Sequence, residues 1–336
     1  MKTKLKIAND EGIKEAAYII KNYGLVAFPT ETVYGLGANA LCERSAGKIF
    51  EAKGRPADNP LIVHVSSIDM LTGVVESIPE YAYKLIEKFW PGPITLIFKK
   101  KSIIPDFVSG GLNTIGVRIP NNRTALELIK EAGVPIAAPS ANTSGKPSPT
   151  TAAHVMMDLD GKIDMVLDGG NCVFGLESTI VDLSGDASVL LRPGAITVEM
   201  LEEAIGQITI QTELLKSDDA PKSPGMKYKH YSPNAKLTII KCKNSNRIID
   251  FIKQKADANF KKSAVIATEE SLYSYKAAGL NAYALSAEGL FATLRKIDDD
   301  KVEEAYVHSI EESGIGLAIM NRLKKAADSN IIDLDS

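Results

Sequence analysis

Short β-branched and aliphatic runs recur along the chain with amphipathic stretches between them, and this alternation constrains the fold more than any other feature. The runs fall at 24–28, 61–65, 94–98, 115–119, 136–138, 165–167 and 179–183. Helical periodicity fills the spaces at 11–22, 45–53, 80–89 and 124–132, the last opened by Asn122 as an N-cap. Strands and helices in such alternation bury their apolar faces only by layering on one another, so the chain is predicted to be an α/β protein. At 336 residues it has room for about two domains.

The pattern breaks between 213 and 234, a polar stretch with Pro221, Pro224 and Pro233. Strand and helix signals then resume at 237–241, 245–260, 264–267 and 282–285, and a long amphipathic segment runs through Met320-Asn321-Arg322-Leu323. Three parts are therefore expected: a first domain over 1–210, a linker over 211–235 and a second α/β domain over 236–336.

Composition limits the classes of function. With 39 basic and 42 acidic residues the net charge is −3, which argues against a large phosphate-tracking surface for nucleic acid. No stretch approaches the ~18 apolar residues of a membrane span, and the amino terminus lacks an apolar leader core, so the protein is expected to remain in the cytoplasm. Cys42, Cys172 and Cys242 are too scattered for a disulfide framework or a zinc pair and are expected to be reduced. The four histidines show no metal-ligand spacing.

Several motifs bear on chemistry. Gly35-Leu36-Gly37-Ala38-Asn39-Ala40 fits a dinucleotide fingerprint in spelling only, because six residues separate it from the strand ending at Phe28. No phosphate-binding G-x-x-x-x-G-K-[ST] loop is present. Lys53-Gly54-Arg55-Pro56-Ala57-Asp58-Asn59-Pro60 sets two cations on a proline-stiffened loop, either as phosphate partners or as a solvated helix terminus that complements the dipole. Residues 139–150 are mostly small, hydroxylated, amide-bearing or proline, and follow the carboxyl end of a buried strand, where α/β sheets place ligands. Arg118 sits within an apolar strand and needs an anionic partner, either a structural or a substrate carboxylate. Arg192 and Ser178 raise the same choice between cap and ligand contact.

Taken in order, Pro29-Thr30-Glu31-Thr32-Val33-Tyr34-Gly35-Leu36, Lys53-x-Arg55, Ser140-x-Asn142, Leu191-Arg192-Pro193-Gly194 and the 223–233 segment with Lys229-His230-Tyr231-Ser232-Pro233 resemble the Sua5/YrdC family. Gly314-Ile315-Gly316-Leu317-Ala318 in the carboxyl-terminal part is similar to the two-domain Sua5 type. The resemblance implies a YrdC-like twisted mixed sheet with helices, followed by a smaller Rossmann-like α/β domain. It also implies threonylcarbamoyl-AMP synthesis, in which L-threonine, bicarbonate or CO2, and ATP with Mg2+ give threonylcarbamoyl-adenylate and diphosphate. A separate threonylcarbamoyl transferase complex would then use the adenylate to modify tRNA beside the anticodon.

Position by position, the resemblance implies Lys53 and Arg55 as catalytic cations. Arg55, Asn59, Thr114, Ser140, Asn142, Ser148, Arg192 and Tyr231 would bind ATP, and Thr32, His64, Arg118, Ala138 and Ser178 would bind threonine. No metal ligand is assigned on the protein. For His64 a core histidine satisfied by backbone is the competing reading. The 211–235 segment is expected to act as a lid through Gly225 and Tyr231. An RNA-binding translation or ribosome-maturation factor is the alternative function, and a carbamoyl transferase lacking the usual zinc-finger segments is a third.

Overall fold

The computed structural model describes residues 2–211, 221, 223–224, 230–255 and 262–335. They form two compact units, one of Met1–Ser144 with Ser148–Tyr228 and the other of Gly145–Pro147 with Lys229–Ser336. Among the described residues no helix is long and apolar enough to cross a membrane.

The first unit is organised by an eleven-stranded mixed sheet. Its strands are β1 Lys4–Ile7, β2 Val26–Phe28, β3 Gly35–Asn39, β4 Ile62–His64, β5 Ile94–Lys99, β6 Thr114–Arg118, β7 Ile136–Ala137, β8 Met165–Asp168, β9 Thr179–Asp182, β10 Val189–Arg192 and β11 Thr209–Ile210. They are ordered β1-β8-β2-β3-β7-β4-β6-β5-β9-β10-β11. Local chemistry starts and stops the helices around them. Asn9 Oδ1 accepts from Gly12 N and Asn122 Oδ1 from Ala125 N, capping Asp10–Lys21 and Arg123–Ala132. Gly54, at φ 63°, takes the left-handed turn that ends Glu43–Lys53.

Period-two alternation gives the central strands two different faces. Val63, Leu96, Phe98, Ile115, Val117 and Val181 enter the main core on one side. Their neighbours Ile62, His64, Thr95, Ile97, Thr114, Gly116, Arg118 and Ile180 must point to the other side. Ile62, Ile97, Ile180 and Leu191 form a small apolar cluster there, and Phe28 packs against His64. The polar residues of that face are therefore the ones left over for chemistry.

Most expected strands are present with ends shifted by a residue or two, but β3 is a correction. Gly35–Asn39 forms a buried antiparallel strand beside β2, with Ala27 opposite Leu36 and Phe28 opposite Gly35. A Cβ on Gly37 would come within 2.8 Å of both Phe28 and Ile136, so this glycine makes room for side chains from neighbouring strands. It serves sheet packing, not a pyrophosphate turn. The charged strand β1 carries little apolar signal and forms only because β8, far away in sequence, offers its edge.

The second unit holds a five-stranded parallel sheet ordered β14-β13-β15-β12-β16. The strands are β12 Lys236–Lys241, β13 Ser263–Ala267, β14 Asn281–Ala284, β15 Glu304–His308 and β16 Ile331–Asp333. All five residues of β13 are buried, as in a sheet covered on both faces. Tyr231 belongs to this unit and is buried, its ring 5.2 Å from Phe291 and 5.8 Å from the Arg322 guanidinium. Most of the expected lid, at 212–220, 222 and 225–229, lies outside the described residues.

Gly145–Pro147, from the loop after β7, groups with Lys229–Ser336. Within that unit Ser232 N donates to Gly145 O at 2.9 Å and Arg295 Nη2 donates to Pro147 O at 2.6 Å.

Candidate active site

The site-bearing face of the first unit is built outward from β6. Thr114, Gly116 and Arg118 alternate onto it, and the parallel pairing with β4 sets Ile62 opposite Gly116 and His64 opposite Arg118. A Cβ on Gly116 would meet Thr95 Cγ2 at 3.0 Å, so the glycine keeps the floor of the face open. A small cavity there is lined by Ile62, Thr95, Gly116, Ile180, Ser223 and Pro224.

Arg118 is held by three partners at once. Its Nε donates to Gly92 O at 3.2 Å, Nη1 donates to Thr32 Oγ1 at 2.9 Å, and Nη2 lies 2.7 Å from Glu31 Oε2. The Thr32 hydroxyl shares a 2.8 Å hydrogen bond with Thr30, whose Oγ1 also donates to Val33 O at 2.7 Å. Both members of the Arg118–Glu31 pair are 4% exposed, so the ion pair is desolvated and its geometry matters. The anion that Arg118 requires is thus a structural carboxylate in this state.

His64 stands beside Arg118, buried, with its ring edge-on to Phe28 at 5.9 Å. Burial, reinforced by the Arg118 charge, pushes its pKa down to about 3, so the imidazole is neutral at physiological pH. The unfolded chain binds that proton near pH 6.5 and the folded chain does not, so stability falls as pH drops through the window between those values. We expect about 1.4 kcal/mol of lost stability per pH unit below 6.5 from this residue. Urea unfolding at pH 7.5 and 5.5 checks it, and the His64→Gln variant should lose that part of the slope.

Lys53 and Arg55 decide between the two readings of their loop. Lys53 is 2% exposed and Arg55 9%, so neither is a solvated helix terminus. Lys53 Nζ donates to Ser140 O and Asn142 O and approaches Asn142 Oδ1 at 3.5 Å. These contacts tie the helix Glu43–Lys53 to the 140–142 loop. Ser140 Oγ donates to Asn142 Oδ1, and Tyr34 O accepts from Ala141 N at 2.8 Å, which binds the same loop to the 29–36 segment. Arg55 Nη2 donates to Asn59 O and Pro60 O at 3.3 and 3.1 Å, curling over its own loop. Asn59 is buried.

On the other side of β6, an irregularity between Leu190 and Arg192 sets Leu190 opposite Val181 and Arg192 opposite Ile180, a bulge that re-aims the arginine. Arg192 Nε then donates to Ser178 O at 3.1 Å, Nη2 to Ser178 Oγ at 3.2 Å and Nη1 to Pro224 O at 3.3 Å. Ser178 Oγ is also 2.7 Å from Thr95 Oγ1, and Ser148 Oγ donates to Glu177 Oε1 at 2.6 Å. Gly194 approaches Thr179 N so closely that a Cβ would lie 2.4 Å from it. Ala138 contributes backbone, its N donating to Ile62 O at 2.8 Å, and Thr114 opens β6 opposite Lys99.

The first unit thus carries every candidate residue except Tyr231, which belongs to the second. Among the described residues no three His, Cys, Asp or Glu side chains gather as they would around a metal ion. Residues 18–194 match the family model for Sua5, YciO and YrdC, described as "Telomere recombination". The chain belongs to the Sua5/YrdC family. Residues 196–328 match a second Sua5 model, described as "Threonylcarbamoyl-AMP synthase, C-terminal domain". A relative from Bacillus subtilis (strain 168) named threonylcarbamoyl-AMP synthase is 46% identical, over 96% of this chain and 95% of its own length. One of the same name from Schizosaccharomyces pombe is 39% identical, over 94% of this chain and 88% of its own. The crystal structure of P. abyssi Sua5 complexed with L-threonine superposes with a TM-score of 0.91 at 44% identity, covering 99% of this chain and all of that one.

Sequence reasoning left Glu31, Thr95 and Glu177 unassigned. Thr95 carried the same signal as Arg118, a polar residue inside an apolar strand. Glu31 stood within a quoted motif, but nothing local indicated that residues 87 positions apart would form a buried ion pair.

Proposed function

We propose that the chain is a threonylcarbamoyl-AMP synthase. The observation that carries this reading is the arrangement along β6, where Arg118 among the amino-acid candidates and Thr114 among the nucleotide candidates share one sheet face. Four residue steps along the strand separate them by about 13 Å, a span suited to a small amino acid and a nucleotide meeting end to end. Relatives of that name, similar over almost their whole length, support it.

In this reading the L-threonine amine takes up CO2 supplied by bicarbonate, and the N-carboxylate oxygen attacks the α-phosphorus of ATP as diphosphate leaves. No protein nucleophile is required. Two anions must be brought together, so catalysis rests on positioning and on cations that screen them. Arg118 receives the threonine carboxylate, with Thr32, neutral His64, Ser178 and the Ala138 backbone around it. Arg55 and Arg192 screen phosphate oxygens, while Lys53 holds Ser140 and Asn142 in place, with Asn59, Thr114 and Ser148 lining the nucleotide side. Mg2+ would enter with ATP as part of the nucleotide substrate. The adenylate would feed a separate threonylcarbamoyl transferase that acts on tRNA.

Diphosphate release is expected to require threonine, bicarbonate and ATP together and to proceed without RNA. A coupled diphosphate assay on the full chain checks this. Release that depends on RNA, or that proceeds without threonine, would replace the synthase reading with an RNA-associated one.

A further inference from the structure

Glu31 is an unusual residue to bury in a site meant for an anion. Its side chain is as shielded as that of Arg118, and its backbone is pinned by Val173 N and Phe174 N, which donate to Glu31 O at 3.1 and 2.8 Å. Oε2 forms an ion pair with Arg118 Nη2 at 2.7 Å, but neither carboxylate oxygen has a hydrogen-bond partner among the described residues, and Oε1 has no ion-pair contact either. An unsatisfied carboxylate oxygen held away from water is costly unless something fills it in the working state.

The charge pattern indicates what fills it. A lone Arg118 would suit any carboxylate, and an adjacent fixed carboxylate would repel that ligand. The repulsion becomes attraction if the ligand carries its own cation next to its anion. A buried Arg–Glu pair is the electrostatic complement of an α-amino acid zwitterion, in which ammonium and carboxylate sit on one carbon. Each ligand charge then meets its opposite, and the protein pair exchanges some of its mutual contact for contacts with substrate.

We propose that Glu31 binds the α-ammonium group of the amino-acid substrate through Oε1 and accepts one of its protons. This rests on the amino-acid reading of the Arg118 site. The proton passes from nitrogen to Oε1, leaving a neutral amine whose lone pair forms the N–C bond to CO2 as one C=O pair moves onto oxygen. The second ammonium proton leaves to water as the N-carboxylate forms, and Glu31 returns its proton to solvent after product departs. Glu31 is thus a catalytic residue that touches the reacting nitrogen, and it also sets the requirement for an amine.

The test uses the full chain and two variants, Glu31→Gln and Glu31→Asp. Calorimetry compares L-threonine with 2,3-dihydroxybutanoate, which replaces the amine with a hydroxyl. The native protein should favour threonine by at least about thirtyfold, with the preference reduced to a few-fold in Glu31→Gln and ATP affinity unchanged. The kcat/KM for threonine should be nearly flat from pH 7 to 9 in the native protein. In Glu31→Gln it should rise about tenfold per pH unit, because solvent must now deprotonate the amine. A residue that only orients Arg118 would weaken threonine binding equally at every pH and leave the amine preference intact, and that result overturns the proposal. If Glu31→Gln does not fold, Glu31→Asp decides by the same two readouts: a reduced preference for threonine over 2,3-dihydroxybutanoate together with a kcat/KM that rises with pH supports the proposal, and a native amine preference with a flat pH profile overturns it. Absence of threonine-dependent turnover in the native protein would instead remove the parent reading.

Discussion

Arg118→Lys is expected to raise the threonine KM by about 10- to 150-fold while leaving the ATP KM within a factor of two. An ammonium retains the charge but has no planar fork, and it cannot reach Gly92 O, Thr32 Oγ1 and Glu31 together as the guanidinium does. Loss of charge-assisted hydrogen bonds of this kind is worth about 1.5–3 kcal/mol, which sets the range of the KM change. Arg118→Ala should be worse in a different way. It leaves Glu31 as an uncompensated buried carboxylate and should cost about 3–5 kcal/mol of stability. Steady-state kinetics on the lysine variant and denaturant unfolding on the alanine variant separate the two effects. A lysine variant with native threonine KM would remove Arg118 from the amino-acid site.

Lys53→Ala is expected to lower kcat by about 10²–10³, the usual scale for losing one cation or donor that organises a transition-state site. The variant should also lose stability. The buried Lys53 ammonium satisfies the carbonyls of Ser140 and Asn142 across 87 and 89 residues of chain. Removing it leaves both acceptors without that donor, at about 1–3 kcal/mol each if water does not replace it. The melting temperature should therefore fall together with activity. Adding Asn142→Ala should then cost less than it does in the native protein, because the loop held by Lys53 is already released. Full activity with an unchanged melting temperature would return Lys53 to the role of a simple helix terminus.

Legibility differed by element. The helices were readable because their signals are local: Asn122 caps Arg123–Ala132 through a contact three residues away, and Gly54 ends its helix by its own backbone conformation. Apolar strands such as β5 and β9 were readable for the same reason. Strand β3 was not, because Gly35-Leu36-Gly37-Ala38-Asn39 has the composition of a loop, and its glycines make sense only once Phe28 and Ile136 lie against them. Among site residues, Arg118 announced itself as a cation in an apolar run, whereas the loop cations Lys53 and Arg55 remained ambiguous until their burial was known.

The sequence by itself determined the alternation of elements, and with it the α/β class, because apolar period and capping are written within a dozen residues of one another. It also determined which side chains would be available for chemistry, since an ordered set of motifs needs no coordinates to be read. What those side chains do to each other was decided only by tertiary structure. The Glu31–Arg118 pair, the Lys53 clamp on the 140–142 loop and the Arg192–Ser178 contact join residues between 14 and 89 positions apart. Such contacts depend on strand order, register and one bulge in β10, quantities fixed by the packing of the whole sheet and encoded in no single stretch of chain.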